Sequence, residues 1–275
     1  MNFRNMAVAI SGKQTGLTGK YYADSINISE ALGELNFATL GSNAIGTATA
    51  KAPEGTISVG FYVTTGEEIS AITGHYGKTG FMQVQAGPFI AENSLLQSFN
   101  MEFTPDSIVK GSMDFAYYGQ IKSGSSTPET GAPVILPAHG AASTLTLESV
   151  GVASALSTSY DFSQSFDVGY SIGSAFPARV TFQEMTKSLS IQAQAQDVNF
   201  EQSNLTGTSG ICHNPSGDAG FSVKSGSVTI KNLCNERVGL LGVTGYLESR
   251  EFSAAPNENV LQTLNLVETS VEGDC

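Results

Sequence analysis

The sequence contains no tryptophan, only three histidines and three cysteines, and few positive charges among its 275 residues. Thirteen Lys and Arg residues stand against 25 Asp and Glu residues, so the formal net charge is −12. A protein that grips a duplex needs cations to replace phosphate counterions, and this balance therefore argues against a surface that binds nucleic acid. No stretch approaches the roughly 18 apolar residues of a membrane span, and the first residues lack a signal-peptide core. We expect a soluble protein without a membrane anchor, made in the cytoplasm.

The cysteines do not predict a metal site or a disulfide framework. Cys212, Cys234 and Cys275 form an odd number without CxxC spacing. Cys212 and His213 together with Cys234 could offer soft metal ligands, but a lone cysteine is often a small buried hydrophobic residue. We expect a reducing compartment and neither a metal nor another cofactor.

No motif of an enzyme is complete. His75, His139 and His213 lie in separate segments rich in Gly or Pro, without a GxSxG or HExxH context. The segment Gly77-Lys78-Thr79 is similar to the end of a phosphate-binding loop, but Ile72 stands where that loop requires glycine, so a hairpin turn is the better interpretation. We expect no catalytic and no cofactor-binding residues.

What the chain does have is the pattern of an all-β protein. Its 30 glycines, 40% hydrophobic residues and 14% charged residues suit short strands joined by tight turns. Residues 56–63 and 188–194 alternate apolar and polar side chains with a period of two, which is typical of half-buried strands. The candidate functional residues lie on their polar faces and are Thr56, Ser58, Tyr62, Ser188, Ser190, Gln192 and Gln194.

Further along the chain the patterns are less regular. Residues 99–103 and 113–117 alternate on either side of Pro105-Asp106, which predicts a long antiparallel pair. The remaining predictions are a late strand pair over 228–246, a helical turn over 91–97, a final strand or short helix around 260–267, and long loops over 123–133 and 203–220.

The same strand pattern occurs twice. Residues 25–29 match 159–163 at an offset of 134, and 56–59 match 188–191 at an offset of 132. Ser98 matches Ser227 at an offset of 129. A period this long indicates two whole domains and not a solenoid. We predict two tandem antiparallel β-sandwich or barrel domains with at most short helices, at 1–125 and 141–275, joined by a linker or long loop at 126–140.

The recurring order of strand, turn and strongly alternating strand resembles the tail-tube (major tail) proteins of tailed phages. The residues that carry the resemblance are 25–32, Leu40-Gly41-Ser42 and 56–63 in the first copy, and 159–166, Ile172-Gly173-Ser174 and 188–194 in the second. The resemblance implies a domain of tail-tube type, whose inner sheet joins those of its neighbours around a channel. Single-domain members are expected to form six-fold rings, so two fused copies imply a trimer with pseudo-six-fold symmetry.

This resemblance also implies partners and a location. Stacked rings would form the tail tube of a virion, assembled in the host cytoplasm, together with tape-measure and terminator proteins. DNA would pass through the tube during genome ejection without specific binding, and the seven candidate residues would face the channel. The long loops would reach a neighbouring subunit or ring.

Three alternatives remain open at this point. Another ring component, such as a distal-tail or tube-initiator protein, would have nearly the same sequence pattern. A two-domain β-sandwich adhesin or decoration protein should expose an aromatic or cationic recognition patch. An enzyme would require carboxylates or Cys and His side chains that converge in a cleft.

Overall fold

The computed structural model describes residues 6–12, 18–31, 34–38, 45–49, 52–64, 66–124, 136–147, 150–152, 155–194, 224–254 and 260–271. These residues form antiparallel strands with one short helix, α1 (Glu67–Thr73), and a 3-10 turn at Gly140–Ala142, which confirms the predicted all-β class. The strands are β1 (Met6–Gly12), β2 (Thr18–Ala31), β3 (Glu34–Ala38), β4 (Ile45–Thr49), β5 (Glu54–Tyr62), β6 (Met82–Ala86), β7 (Phe89–Phe103), β8 (Lys110–Tyr118), β9 (Lys122–Ser123), β10 (Thr144–Leu147), β11 (Val150–Gly151), β12 (Ala155–Tyr170), β13 (Pro177–Gln194), β14 (Lys224–Lys231), β15 (Arg237–Ser253) and β16 (Leu261–Val271).

Six strands of the first half close into a barrel. They pair in the order β1-β2-β5-β8-β7-β6, and β6 pairs back with β1. The barrel core is formed by alternate apolar side chains of β5, β7 and β8, which are buried and include Ile57, Val59, Phe61, Leu96, Phe99, Met101, Met113 and Phe115. Closure covers strand edges wherever these pairings extend, which includes the β2 edge over residues 18–23.

The second half repeats this order. β12, β13, β16, β15, β14 and β10 pair in sequence, as β2, β5, β8, β7, β6 and β1 do in the first half. Two strands of the second half, β11 and β12, together occupy the place that the single strand β2 has in the first half. β11 pairs with β10, as the beginning of β2 pairs with β1, and β12 pairs with β13, as the end of β2 pairs with β5. The ladder of β10 and β11 continues where the Val152 amide donates to the Leu145 carbonyl at 2.9 Å. Both halves therefore have one strand topology.

Two irregularities of register recur in both halves. The β2–β5 ladder skips Asp24, and the β12–β13 ladder skips Leu156, which is 132 positions later. The β7–β8 ladder skips Gln97, and the β15–β16 ladder skips Glu248, which is 151 positions later. A bulge is a local feature that bends a strand at a defined point. Its recurrence fixes which residues of the halves correspond.

This correspondence corrects two of the predicted matches. Ser25 corresponds to Ser157 at 132 positions, and not to Ser159. Ser98 corresponds to Ser249, and not to Ser227, because β7 occupies the place of β15 while β14 occupies the place of β6. The match of 56–59 to 188–191 agrees with the observed register. The predicted domain boundaries stay a prediction, and most of the linker lies outside the described residues.

Most of the predicted strands are observed. The segments 56–62 and 188–194 lie in β5 and β13, and 99–103 and 113–117 form the β7–β8 pair. Residues 228–246 lie within the β14–β15 pair with its short turn, and 261–267 lie in β16. The Ile172-Gly173 turn is present, whereas Leu40-Gly41-Ser42 and the loop 203–220 lie outside the described residues, as does most of 123–133.

Two local predictions were wrong. Residues 91–97 are not a helical turn but the middle of β7, where Leu95 and Leu96 are both buried although they point to opposite faces of the strand, opposite Ala116 and Phe115. Gly77-Lys78-Thr79 does not join two strands of a hairpin. It follows α1, and Gly77 adopts a φ of 66° that favours glycine.

The two halves are joined by strand pairing. Residues 98–103 of β7 pair with 163–158 of β12, and we call this ladder the internal junction. The Phe99 ring meets the Tyr160 ring edge to face, with centroids 6.0 Å apart, so the two cores are continuous. Beyond the junction, β12 and β13 extend as a hairpin whose tip reaches the first barrel, where the Ala52 amide donates to the Ala175 carbonyl at 3.0 Å.

Candidate assembly surface

One continuous sheet surface runs across both halves. Its eight strands lie in the order β2-β5-β8-β7-β12-β13-β16-β15, which is two equivalent sets of four joined at the internal junction. We call the side of these strands that faces away from the barrel cores the wall face. Its polar part consists of Ser25, Asn27, Ser29, Thr56, Ser58, Gly60, Tyr62, Ser98, Asn100, Glu102, Lys110, Ser112, Asp114, Ser157, Ser159, Asp161, Ser163, Thr186, Ser188, Ser190, Gln192, Gln194, Ser249, Glu251, Ser253, Thr263 and Asn265. At one end of each set of four strands, beside Thr56 and Ser188, the same side carries apolar and aromatic residues, which are Leu95, Ala116, Tyr118, Tyr246 and Val267.

All seven candidate residues predicted from the sequence lie on the wall face. Those of β5 alternate with core residues of which Ile57 is 1% and Val59 0% exposed. Those of β13 alternate in the same way with Leu189 and Ile191. Because β5 and β13 hold the same place in each set, Ser58 and Ser190 are equivalent positions. Their orientation away from the core agrees with the period-two pattern, and their role remains a prediction.

Cross-strand contacts on the wall face are made by short polar side chains. Ser58 lies opposite Asn27 on β2 and opposite Asp114 on β8. The Ser98 hydroxyl donates to Asp114 Oδ2 at 2.6 Å, and Ser29 and Thr56 share a hydrogen bond of 2.8 Å. Such pairs hold side chains flat along the sheet, which leaves a smooth surface.

The polar contacts continue across the internal junction. The Asn100 amide of β7 donates to an Asp161 carboxylate oxygen of β12. The Ser159 hydroxyl donates to the other oxygen of Asp161 at 3.3 Å. Hydrogen bonds to an ionised acceptor are the stronger kind. The wall face therefore passes from one half to the other without an apolar break.

The wall face carries more negative than positive charge. Its carboxylates are Glu102, Asp114, Asp161 and Glu251. Within the described part of the chain, Lys110 supplies the positive charge of this face, and its Nζ lies 5.3 Å from the centroid of the Tyr62 ring. That distance is within the range of a cation–π contact, which holds the ammonium group against the sheet.

The candidate residues predicted from the sequence lie on two of the eight wall strands, β5 and β13. The signal for β7 was present, since Ser98, Asn100 and Glu102 alternate with the buried residues of that strand. The strand at 99–103 was predicted, but its polar residues were not assigned to the face of the candidates, because the neighbours of a strand cannot be read from its own periodicity. For β2 and β12 the polar positions are clear only when the pairing register is known.

Three titratable groups with shifted pKa values, His75, Tyr76 and Tyr160, lie inside the fold. Burial, together with the neighbouring Tyr160, raises the pKa of Tyr76, and burial raises the pKa of Tyr160 to about 12. Their hydroxyls are 3.3 Å apart, and the Tyr76 ring stacks on Phe162 at 3.8 Å. These contacts tie the turn after α1 to β12. Burial lowers the pKa of His75, which is 4% exposed.

Among the described residues, no three His, Cys, Asp or Glu side chains are grouped so that they could hold a metal ion. Cys212, His213 and Cys275 lie outside this part of the chain. Of the helices in the described residues, none has the length and apolar character needed to cross a bilayer.

Comparisons with known proteins gave one kind of match. No family model and no curated protein matches the chain. A solved structure described as "Tail of empty GTA particle computed with helical refinement, C6 symmetry" is similar over 46% of this chain and 99% of that chain. The sequence identity is 12% and the TM-score is 0.36.

Proposed function

We propose that this chain is a structural protein of a virion tail, which assembles into rings that stack into a tube for DNA. The observation that carries the proposal is the wall face. Two barrels of one topology present their four-stranded sheets side by side as one continuous surface, which is polar along most of its length. Three such chains would place six equivalent sheets around a channel, and the seven candidate residues would line it.

The internal junction supports assembly by sheet extension. A barrel of this protein accepts a strand from a second barrel along the outer edge of β7. Because the two halves have the same strand order, the outer edge of β15 has the corresponding place in the second half. A chain built from two like units tends to repeat its internal contact with the next copy, and such head-to-tail contacts close into rings when the rotation allows it.

The chemistry of the wall face suits a conduit for DNA. Carboxylates near a passing phosphate raise its energy, and a wall with little positive charge cannot replace the DNA counterions. Screening at physiological salt limits this effect to about 8 Å, so it acts only where DNA approaches the wall closely. Most of its side chains are short Ser, Thr, Asn and Gln residues, on which bases cannot stack, and the ring of Tyr62 is covered by the ammonium group of Lys110 at 5.3 Å.

Electron microscopy of the purified full chain tests the proposal. We expect rings with three-fold symmetry that is nearly six-fold when viewed down the axis, and tubes when rings stack. Native mass spectrometry should give a trimer as the unit of the ring. A chain that remains monomeric, alone and with other tail components, would contradict the proposal, and rings that never stack would favour a different ring component.

A further inference from the structure

We infer that residues 26–31 of β2 in one chain pair antiparallel with residues 249–254 of β15 and its end in the next chain. This inference rests on the proposed ring and names the contact that would close it. The partner is a second copy of this chain, and the register is determined by the internal junction.

The internal junction supplies the template. It pairs Thr158 with Phe103, Tyr160 with Met101 and, at its other end, Ser163 with Ser98. Tyr160 and Met101 are 1% and 0% exposed, so this ladder seals an apolar core beneath it. The wall face lies on its other side.

Because the same bulges occur in both halves, the pairing of the internal junction can be transferred to the two outer strands of the eight-stranded sheet, β2 and β15. Positions of β12 correspond to positions of β2 that are 132 lower, and positions of β7 correspond to positions of β15 that are 151 higher. The internal pair of Tyr160 and Met101 therefore corresponds to a pair of Ile28 in one chain and Phe252 in the next. The pair formed by Ser159 and Glu102 becomes Asn27 and Ser253.

Both edges are available in the described part of the molecule. On that side, β1 pairs with β2 only over 18–23, and no described strand continues along 26–31. β14 pairs with β15 only over 237–245, and no described strand continues along 249–253. On each outer strand, the pairing within the chain thus stops just before the residues that would pair with the next chain.

An apolar groove lies along the β2 edge. Ile26, Ile28, Phe89 and Ile121 line it, beside Glu30. Phe252 is 54% exposed, and the register places it opposite Ile28, where Met101 meets Tyr160 in the internal junction. Insertion of an aromatic side chain into such a groove buries apolar surface from both partners.

Charge agrees with the same register. It places Arg250 opposite Glu30, at the position where Phe99 meets Phe162 in the internal junction. Opposite charges at directly paired positions stabilise a ladder, and like charges weaken it. Glu30→Arg should therefore weaken association by roughly twofold to fivefold at each interface, and Arg250→Glu in the same chain should restore it.

Cross-linking of the full chain tests the register. All variants carry Cys212→Ser, Cys234→Ser and Cys275→Ser. Asn27→Cys with Ser253→Cys should give reducible dimers and trimers when oxidised glutathione is added, because directly paired positions bring Cβ atoms within disulfide reach. Glu102→Cys with Ser159→Cys is the matched internal control, and should lose its free thiols without joining chains.

A shifted pair tests the alternative of loose association. Asn27→Cys with Ser249→Cys moves one thiol four residues along β15, about 13 Å away, and should lose the cross-link. Rings that form without the Asn27–Ser253 cross-link, or equal cross-linking of the shifted pair, would overturn the inferred register and leave the proposed function standing. Cross-linked oligomers that never form rings or tubes would support the edge pairing and contradict the tube, and the absence of both would contradict both.

Discussion

The side chain of Gln164 joins three segments of the chain beside the internal junction. It is 7% exposed, its Nε2 donates to the Leu96 carbonyl at 2.6 Å, and its Oε1 accepts from the Gly77 amide at 2.9 Å. The Leu96 carbonyl belongs to the bulge of β7, where the ladder with β8 is interrupted. Gln164 therefore donates a hydrogen bond to the Leu96 carbonyl at the point where the pairing of β7 with β8 is interrupted.

We predict that Gln164→Leu lowers the free energy of unfolding by about 1–3 kcal/mol, because it removes the partners of two backbone groups near the core. Gln120, which is exposed, provides the control, and Gln120→Leu should change stability by less than about 0.5 kcal/mol. Urea unfolding followed by circular dichroism measures both values. Equal effects of the two substitutions would show that the Gln164 contacts contribute nothing.

His75 gives the fold a dependence on pH. Burial lowers its pKa below the ordinary value of 6.5, and its Nε2 has no hydrogen-bond partner among the described atoms. The unfolded chain therefore binds a proton at a higher pH than the folded chain does, and stability that is present above pH 6.5 is lost as the pH falls below it.

We predict that the free energy of unfolding decreases between pH 8 and pH 5.5, and that His75→Leu removes part of this decrease. Leucine keeps the site apolar and cannot bind a proton, so the substitution isolates the titration from the packing. Urea unfolding at several pH values measures the slope. A slope that is the same in both proteins would exclude His75 as its source.

At the scale of single elements, the backbone of β16 lies very close to β15 at Gly245. A Cβ atom on Gly245 would lie 1.9 Å from the Val267 carbonyl oxygen of β16, while one on Gly242 would meet nothing nearer than 3.7 Å. The first distance requires movement of backbone, and the second is an ordinary contact.

We therefore predict that Gly245→Ala destabilises the protein by about 1–3 kcal/mol, in the range of overpacked sites. Gly242→Ala lies in the same strand and should alter stability by less than about 0.5 kcal/mol. Thermal unfolding of the two variants checks the difference. If Gly242→Ala were the more harmful change, the β15–β16 approach described above would be incorrect.

The elements also show what sequence can predict. β5 and β13 could be predicted because each runs straight between two neighbours, so that Ile57 and Val59, or Leu189 and Ile191, alternate strictly with polar residues. Strand 91–97 was mistaken for a helical turn because Leu95 and Leu96 are both buried, on opposite faces, and because the bulge at Gln97 puts Leu96 and Phe99, which are three positions apart, on the core face. A bulge depends on the partner strand, and no local pattern contains it.

The duplication was visible in sequence only where the loops have similar lengths. Between β2 and β5 the two copies keep one offset of 132, so the match of 56–59 to 188–191 was correct. β14 begins at Lys224, well after β13 ends at Gln194, and the offset then rises to 151. Short serine-rich matches pointed to 129 instead, and the strand order was needed to recognise the correct partners. The candidate residues were found, and most of their surroundings were not.

At the scale of the whole molecule, the wall face should decide whether DNA slides or sticks. Ser58→Lys with Ser190→Lys places a lysine at equivalent positions of both barrels, and six lysines in a ring of three chains. We predict that tubes of this variant retain DNA and release it as salt is raised, because lysines displace phosphate counterions.

Gln120→Lys with Ser171→Lys adds the same charge at exposed positions away from the wall face, and its tubes should retain no more DNA than the native tubes. Filter binding over a series of salt concentrations measures the retention. Equal retention by the two lysine variants would place the channel elsewhere.

The internal junction also determines how such a ring assembles. Each association step costs the free energy of immobilising one body against another, about 4–15 kcal/mol. In a chain with two barrels, every second contact around the ring is an internal junction between barrels of the same chain. The covalent link keeps these two barrels at a high effective concentration, so this contact forms without a separate bimolecular encounter. A ring of three chains would thus have half the intermolecular seams of a ring of six separate barrels. Such a ring can dissociate only at the contacts between chains, which are every second contact, and each chain that dissociates removes two barrels.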